Sequence, residues 1–491
     1  VTVTGGAAPA GGVSPTGGAV PTGGVTVTGG AAPTGGVSPT GGAVPTGGVS
    51  ATGGAPPTDG VTVTGGSSST GCPVSIDEGP LYAFPGAQGY GRETTGARGG
   101  EVYEVTNLNS SGEGSLGEAL SESGRTIVFR VSGTISGNFS MSNDTTLAGQ
   151  TAPGDGITIS GTLGLASNVI VRYIRVRFDN SGESDAMGCR YEKNIIVDHV
   201  TGSWSTDEVM SIYHNEDVTI QWCMIAEACP KTGEDHRFGG IWGNQRGTYH
   251  HNLIAHNASR NVRFASGCGD NDYRNNVIYN WGYQNCYGAE AHQVNDSRSP
   301  PIYYSTINLI GNYYKPGPAT TDNEGSFAEG STRDGDADRG SWFLSGNYMD
   351  GNPGITGDNW SGMSGSYIRL DSAWDSMPIQ GEQTAEEALA SVLADVGVTR
   401  PKRDSIETRI VEETRNGTAS TSRNGLVGCP GDTVLPTLNS TPAPGDSDHD
   451  GMPDDFETQC GLDPDDPSDR NDVAPDGYTM LEKYLNSIDS L

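Results

Sequence analysis

Basic side chains are what this 491-residue chain has least of: 28 Lys and Arg stand against 60 Asp and Glu, a formal net charge of -32. No basic stripe exists to neutralise phosphates, which argues against nucleic acid as a partner. Long apolar runs are also missing, and none approaches the roughly 20 residues that a membrane-spanning helix needs. None of the eight cysteines forms a Cys-x-x-Cys pair, which argues against structural zinc and thioredoxin-like chemistry. Hydrophobic residues are 33% of the total, and many of the 74 glycines crowd into the first 70 positions. The roughly 420 residues that follow are ample for a core.

What is present points outward from the cell. An acid excess of this size suits calcium, or a secreted protein in a salty medium. The cysteine number is even, and eight N-x-[ST] sequons occur, at Asn109, Asn138, Asn143, Asn257, Asn295, Asn359, Asn416 and Asn439. Both favour an oxidising, extracellular setting. The first residue is Val1, which fits an export segment already removed.

Residues 1–71 form the first of three expected segments. They are built from hexads (VTVTGG, AAPAGG, VSPTGG, AVPTGG), and Val25–Gly48 differs from Val1–Gly24 only where Thr34 replaces Ala10. Gly-Gly pairs interleaved with Pro and Thr cannot bury enough apolar surface to offset the entropy of ordering. The segment reads as a flexible linker or stalk, with threonines open to O-glycans. Its strict regularity also admits extended segments stacking between chains, which would make it a self-association element.

The second segment, residues 72–440, carries short β-branched runs such as TIVFRVSGTI, VIVRYIRVRF, IIVDHVTGSW and STINLIGNYY. Corresponding positions can be followed through His199, Cys223, Asn252, Asn276, Asn312 and Asn347, about 24 to 36 residues apart. Strands returning at that interval without helices between them mark a stacked-coil solenoid. The asparagines read as ladder residues inside successive corners. The expected fold is all-β, a right-handed parallel β-helix. TAEEALASVLADVG from Thr384 opens with a capping box and predicts a helix. DSIETRIVEETRNG from Asp404 predicts a second, shorter one, and both are expected to pack on the solenoid.

The third segment, 441–491, follows a TPAPG linker and is expected to be a separate acidic module. In DSDHDGMPDDFE, Asp446, Asp448 and Asp450 take positions 1, 3 and 5 of a calcium loop. Gly451 takes position 6, Asp454 position 9 and Glu457 position 12. The later DVAPDGYTMLEKY resembles a degraded second loop, with Ala474 where a ligand belongs and Lys483 at position 12.

From about Ala83 to Tyr314 the motifs AFPGAQGYGRETTGARGG, LAGQTAPGDGITI, NIIVDHVTGSWSTDE, GGIWG, YHHNLIAHNASRNVRF and NNVIYNWG resemble, in order, secreted pectate-lyase-type proteins. The tail is similar to the calcium module that often ends such lyases. The resemblance implies a β-helix with a calcium-lined cleft that cleaves polygalacturonate, an acidic polysaccharide, by β-elimination. It places calcium ligands at Glu183 and Asp185, with Asp207 or Glu208 supplying the share of the next coil, so that Asp185 and Asp207 stand on neighbouring rungs. It makes Arg260 the catalytic base and Arg263 a substrate-carboxylate binder, with His236 or Arg237 where the family has a lysine. Arginine stays charged unless desolvated near other positive charge, so acids are expected to be kept away from Arg260. A glycan on Asn257 would crowd the cleft. Two further readings keep the fold: a lyase for another uronate polymer, such as ulvan or alginate, and a non-catalytic scaffold forming filaments through residues 1–71.

Overall fold

The computed structural model describes residues 72, 79–178, 182–231, 236–293, 301–321, 325–429 and 431–489. They belong to one compact unit, Ser68–Leu491. The hexad repeat, and the self-association expected of it, lie outside the described residues.

The β-rich runs return once per coil, and each coil contributes to three faces. One face is an 11-stranded sheet running from Glu101–Val105 through Val169–Arg172, Lys193–Asp198, Glu216–Gln221 and Arg246–His250 to Ile368–Arg369, in chain order. The other two faces are arms of a 16-stranded sheet that meet on the long strand Ile157–Gly164. One arm holds Arg175–Arg177, Thr201–Ser203, Met224–Ala226 and Leu253–Ala255. The other holds Met187–Cys189, Met210–Tyr213, Ile241–Gly243, Arg263–Phe264 and Cys286–Gly288. All the strand pairs are parallel, as Ile195 opposite Val218 and Val218 opposite Gly247 illustrate. The expected parallel β-helix is what forms. Alternate residues point inward, so Ile195, Val197, Val218, Ile220, Tyr249 and Tyr273 fill the coil interior with no exposed surface.

Asparagines hold the corners as expected. Asn252 N–H donates to Asn276 Oδ1 at 3.0 Å, Asn276 to Asn312 at 2.9 Å and Asn312 to Asn347 at 3.0 Å. Each satisfies a backbone donor that a turn leaves without a strand partner. His199 is a correction. The ladder position of its coil is Val200, whose N–H meets Cys223 Sγ at 3.5 Å. His199 precedes it at φ 53° in an outward stack, its ring between Tyr173 at 4.8 Å and Trp222 at 6.0 Å.

Both predicted helices form with their capping boxes, Ala385–Asp395 on Thr384 and Ser405–Asn416 on Asp404. The second is the longer, 12 residues against 11, because it runs on to Gly417 at φ 70°. Both lie on the outside of the first arm, where Val392, Ile406, Ile410 and Val411 meet Met224, Leu253, Val277 and Tyr279. Buried ion pairs align the second helix: Arg175 Nε lies 2.6 Å from Glu407, and Arg177 Nη1 contacts Asp404. A disulfide joins Cys229 to Cys429.

The tail packs back onto the first coils. Met452, Phe456, Leu481 and Leu485 form one cluster with Val128 and Ala148 of the 11-stranded sheet. Arg130 reaches Glu104 at 3.0 Å and Asp446 at 3.5 Å, and Cys72 is bonded to Cys460. Cys189, Cys223, Cys268 and Cys286 are free thiols.

Candidate active site and tail cation loop

Three additions cover most of the solenoid's outside. The segment around Ala83, Phe84 and Ala87 lies on Ile170 and Ile196, the tail lies on Val128 and Ala148, and the helices cover the first arm. Among the described residues the second arm keeps an open, polar outer face, and the chemistry-bearing side chains converge there.

The acids come from two neighbouring rungs, since Ala186 N–H donates to Glu208 O at 3.2 Å. Asp185, Asp207 and Glu208 each bring a carboxylate oxygen within 4.8 Å of the other two. Asp185 Oδ1 accepts the Glu208 N–H at 3.1 Å. Burial and the Asp207 charge push the Asp185 carboxyl up to about 7, against the pull of Arg190 and Arg260. Three hard oxygen donors that repel one another are the donor chemistry of a calcium or magnesium site.

The rungs continue from Glu208 to Phe238 and from Phe238 to Ser259. The Arg260 side chain folds back along that path. Its guanidinium stands 3.9 Å from the Phe238 ring centre and contacts Glu208. The expectation that acids are kept away from Arg260 is therefore overturned. Coil stacking brings Glu208 beside it across 52 positions of sequence, a proximity that local composition does not reveal. Arg263 is also paired: its Nη2 donates to both Glu290 oxygens at 3.1 Å, and Arg333 shares that carboxylate at 3.7 Å. Arg190, Arg260, Arg263 and Arg333 line one hollow with Tyr191, Tyr213 and His214. In a chain of net charge -32 this is a local basic site.

Several expected residues stand elsewhere. Glu183 is absent from the three-acid cluster and pairs with Lys231, a lysine the sequence motifs did not single out. His236 does face the acids, 3.8 Å from Asp207 and stacked on Phe238 at 4.6 Å. Arg237 does not. It has no exposed surface and donates to the Val427 carbonyl at 3.1 Å, because adjacent residues of a rung point to opposite sides. Burial, with the Arg423 charge, lowers it to about 10. Asn257 is a corner asparagine with no exposed surface, its Oδ1 accepting the Ala228 N–H at 3.0 Å. The fold leaves no room for a glycan at this corner. Arg190 and Arg333 were not anticipated, since they lie outside the motifs and reach the site only through coil register.

No family model matches the chain. A probable pectate lyase C of Aspergillus terreus is 37% identical over 426 residues, covering 83% of this chain and 94% of that relative. One from Aspergillus flavus is 37% identical over 428 residues, with the same coverage. The chain belongs to the pectate lyase family. Among solved structures, a thermostable pectate lyase aligns at TM-score 0.46 and 14% identity, covering 66% of this chain and 98% of that one.

The tail of this pectate lyase family member gathers a second set of carboxylates. Asp446, Asp448 and Asp450 each offer an oxygen within 4.8 Å of the others, as predicted, and Asp450 and Glu457 do so with Asp469. Asp454, expected at position 9, stands outside these groups. Its oxygens accept the Ser447 N–H at 2.7 Å and hydroxyl at 2.9 Å, so it closes the start of the loop. Asp469, fifteen positions later, stands in the cluster and was not foreseen because no loop register includes it. Burial and the neighbouring acids push Asp450 up to about 7 and Glu457 up to about 8.

Proposed function

We propose that the open face of the second arm cleaves polygalacturonate by β-elimination. The observation that carries this is the meeting of a three-carboxylate cluster with four arginines in an otherwise acidic chain. The named relatives support it. Asp185, Asp207 and Glu208 would hold calcium, which when bound neutralises a uronate carboxylate and acidifies the neighbouring C–H. Arg263, held in direction by Glu290, and Arg190 and Arg333 beside it take the carboxylates of the polymer, to which the planar guanidinium is matched. His236 lies where a sugar on the Asp207 side would pass. Arg260 takes the proton, and the glycosidic oxygen leaves from the adjacent carbon. Arg260 must first release its own proton to water, which it can do only when its pair with Glu208 opens. The proton it then takes from carbon is balanced by one that water gives to the leaving oxygen. Glu208 thus acts as the gate on the base.

The test is absorbance of the unsaturated uronide released from polygalacturonate, with calcium and with chelator. Calcium-dependent product is expected; absence of product on this polymer with product on ulvan or alginate would move the substrate to another uronate. The two disulfides support an extracellular protein, and no described helix is long and apolar enough to cross a membrane. The tail loop takes a structural calcium at Asp446, Asp448, Asp450 and Glu457, and the hexads associate chains without altering the cleft.

A further inference from the structure

We propose that the tail takes one divalent cation, at a site that Asp469 closes from outside the twelve-residue loop, and that Lys483 gives the second loop a cation of its own. The inference rests on the reading of the tail as a calcium module. Glu457 has no exposed surface, and neither of its carboxylate oxygens has a hydrogen-bond partner. Asp448 Oδ2, Asp450 Oδ2 and Asp469 Oδ1 are shielded from water and likewise without a donor. Buried carboxylate oxygens facing one another without a donor are strongly unfavourable unless a cation stands among them. At position 9 both Asp454 oxygens accept hydrogen bonds from Ser447, and Asp454 stands outside both three-acid groups of the tail. Asp469 enters instead from the turn Asp469–Asn471, with Oδ2 fixed by the Asp463 N–H at 2.8 Å and Oδ1 left for the cluster.

The second loop keeps the register of the first without its ligands. Asp472 falls at position 1, Asp476 at 5, Gly477 at 6 with φ 91°, and Lys483 at the twelfth, where a bidentate carboxylate belongs. Lys483 is 4% exposed, and its ammonium pairs with Asp476, whose side chain has no exposed surface. The Tyr478 ring centre lies 5.8 Å from the same ammonium. Backbone bonds hold the loop closed: Met480 N–H to Asp472 O and Gly477 N–H to Ala474 O, each 2.9 Å. A tethered ammonium thus stands where a divalent ion would, and the loop needs nothing from solution.

The experiment counts calcium on the full chain carrying Asp185→Asn, which removes the cleft's contribution, by native mass spectrometry and calorimetric titration. One tail calcium is expected. Asp469→Asn should weaken it by at least about tenfold, the scale of a lost metal contact, while Asp454→Asn moves it far less. Lys483→Glu should raise the count to two. Lys483→Gln, which keeps the length and removes the charge, should leave the count at one and make the tail easier to cleave by protease. Unchanged affinity in Asp469→Asn, or a single calcium in folded Lys483→Glu, overturns the corresponding half. A parent that binds no calcium overturns the calcium reading of the tail itself, and is distinguishable from both.

Discussion

The cleft and the tail each gather carboxylates within 4.8 Å of one another, yet their surroundings differ in sign. In the cleft, Glu208 meets Arg260, and Arg190 and Arg260 both offset the charge of Asp185. In the tail, Arg130 stands 3.5 Å from Asp446 at the margin, while Glu457 and Asp450 are buried with oxygens unpaired. On the proposed reading, the arginines beside the cleft acids let a cation and an anionic substrate be taken up together. On the same reading, the buried tail acids, with oxygens unpaired, are held together by a cation among them. Under that proposal the same ligand chemistry serves the reaction in one place and the fold in the other.

The largest effect expected is on the cleft side of that comparison. Arg260→Lys keeps the charge and loses the guanidinium, so turnover should fall by at least about 100-fold, the scale of a lost general base. Uronide release at near wild-type rates would remove Arg260 from the mechanism.

On the tail side, Asp450→Asn should abolish the gain in thermal stability that calcium confers. A site at a thousandfold excess over its Kd stabilises by about 4 kcal/mol. Thermal melts with calcium and with chelator measure it. An intact calcium-dependent gain in the variant would place the stabilising ion elsewhere.

Acidity sharpens the contrast further. In chelated protein burial, with the charges of Asp448, Asp446 and Asp469, pushes Asp450 up to about 7. Burial, with Asp450 and those same acids, pushes Glu457 up to about 8, and both stand above their ordinary values of about 4. The folded tail then binds more protons than the unfolded one between about pH 4 and 8, so its stability falls as pH rises through that window. Protease resistance of the chelated tail should be greater at pH 5 than at pH 8, and calcium should erase the difference. Equal resistance at both pH values would mean the carboxylates are compensated after all.

The smallest effect concerns neither cluster. Deleting residues 1–70 should leave the melting temperature and the activity unchanged, because the hexads lack large apolar side chains to pack with. Sedimentation should change from associated to monomeric. Identical sedimentation of both forms would reduce the repeat to a stalk.

Much of this was legible in the chain. Corner asparagines, capping boxes and the Asp446–Asp448–Asp450 spacing each depend on a local register, so sequence order alone places them. The β-helix followed from the recurrence of strands, and the cleft acids from motif and coil length together. The errors share a different cause. Arg237 and His236 are adjacent, yet which one faces the cleft depends on the phase of the rung. His199 lies one residue before the ladder. It holds the left-handed corner position that Trp222, His251 and Asn275 hold in later coils, and the ladder position of its own coil is the apolar Val200.

The sequence by itself determined the coil repeat, the ladder, the helices and the gathering of Asp446, Asp448 and Asp450 in one loop, since each is decided by residues within a few positions of one another. Only the tertiary structure decided that Glu208 holds Arg260, that Glu290 holds Arg263, that Glu183 belongs to Lys231, and that Asp469 joins Asp450 and Glu457. These pairings join residues up to 52 positions apart, and charge acts through space at a few ångströms. Coil stacking and tail packing set those distances, and no local spacing encodes them.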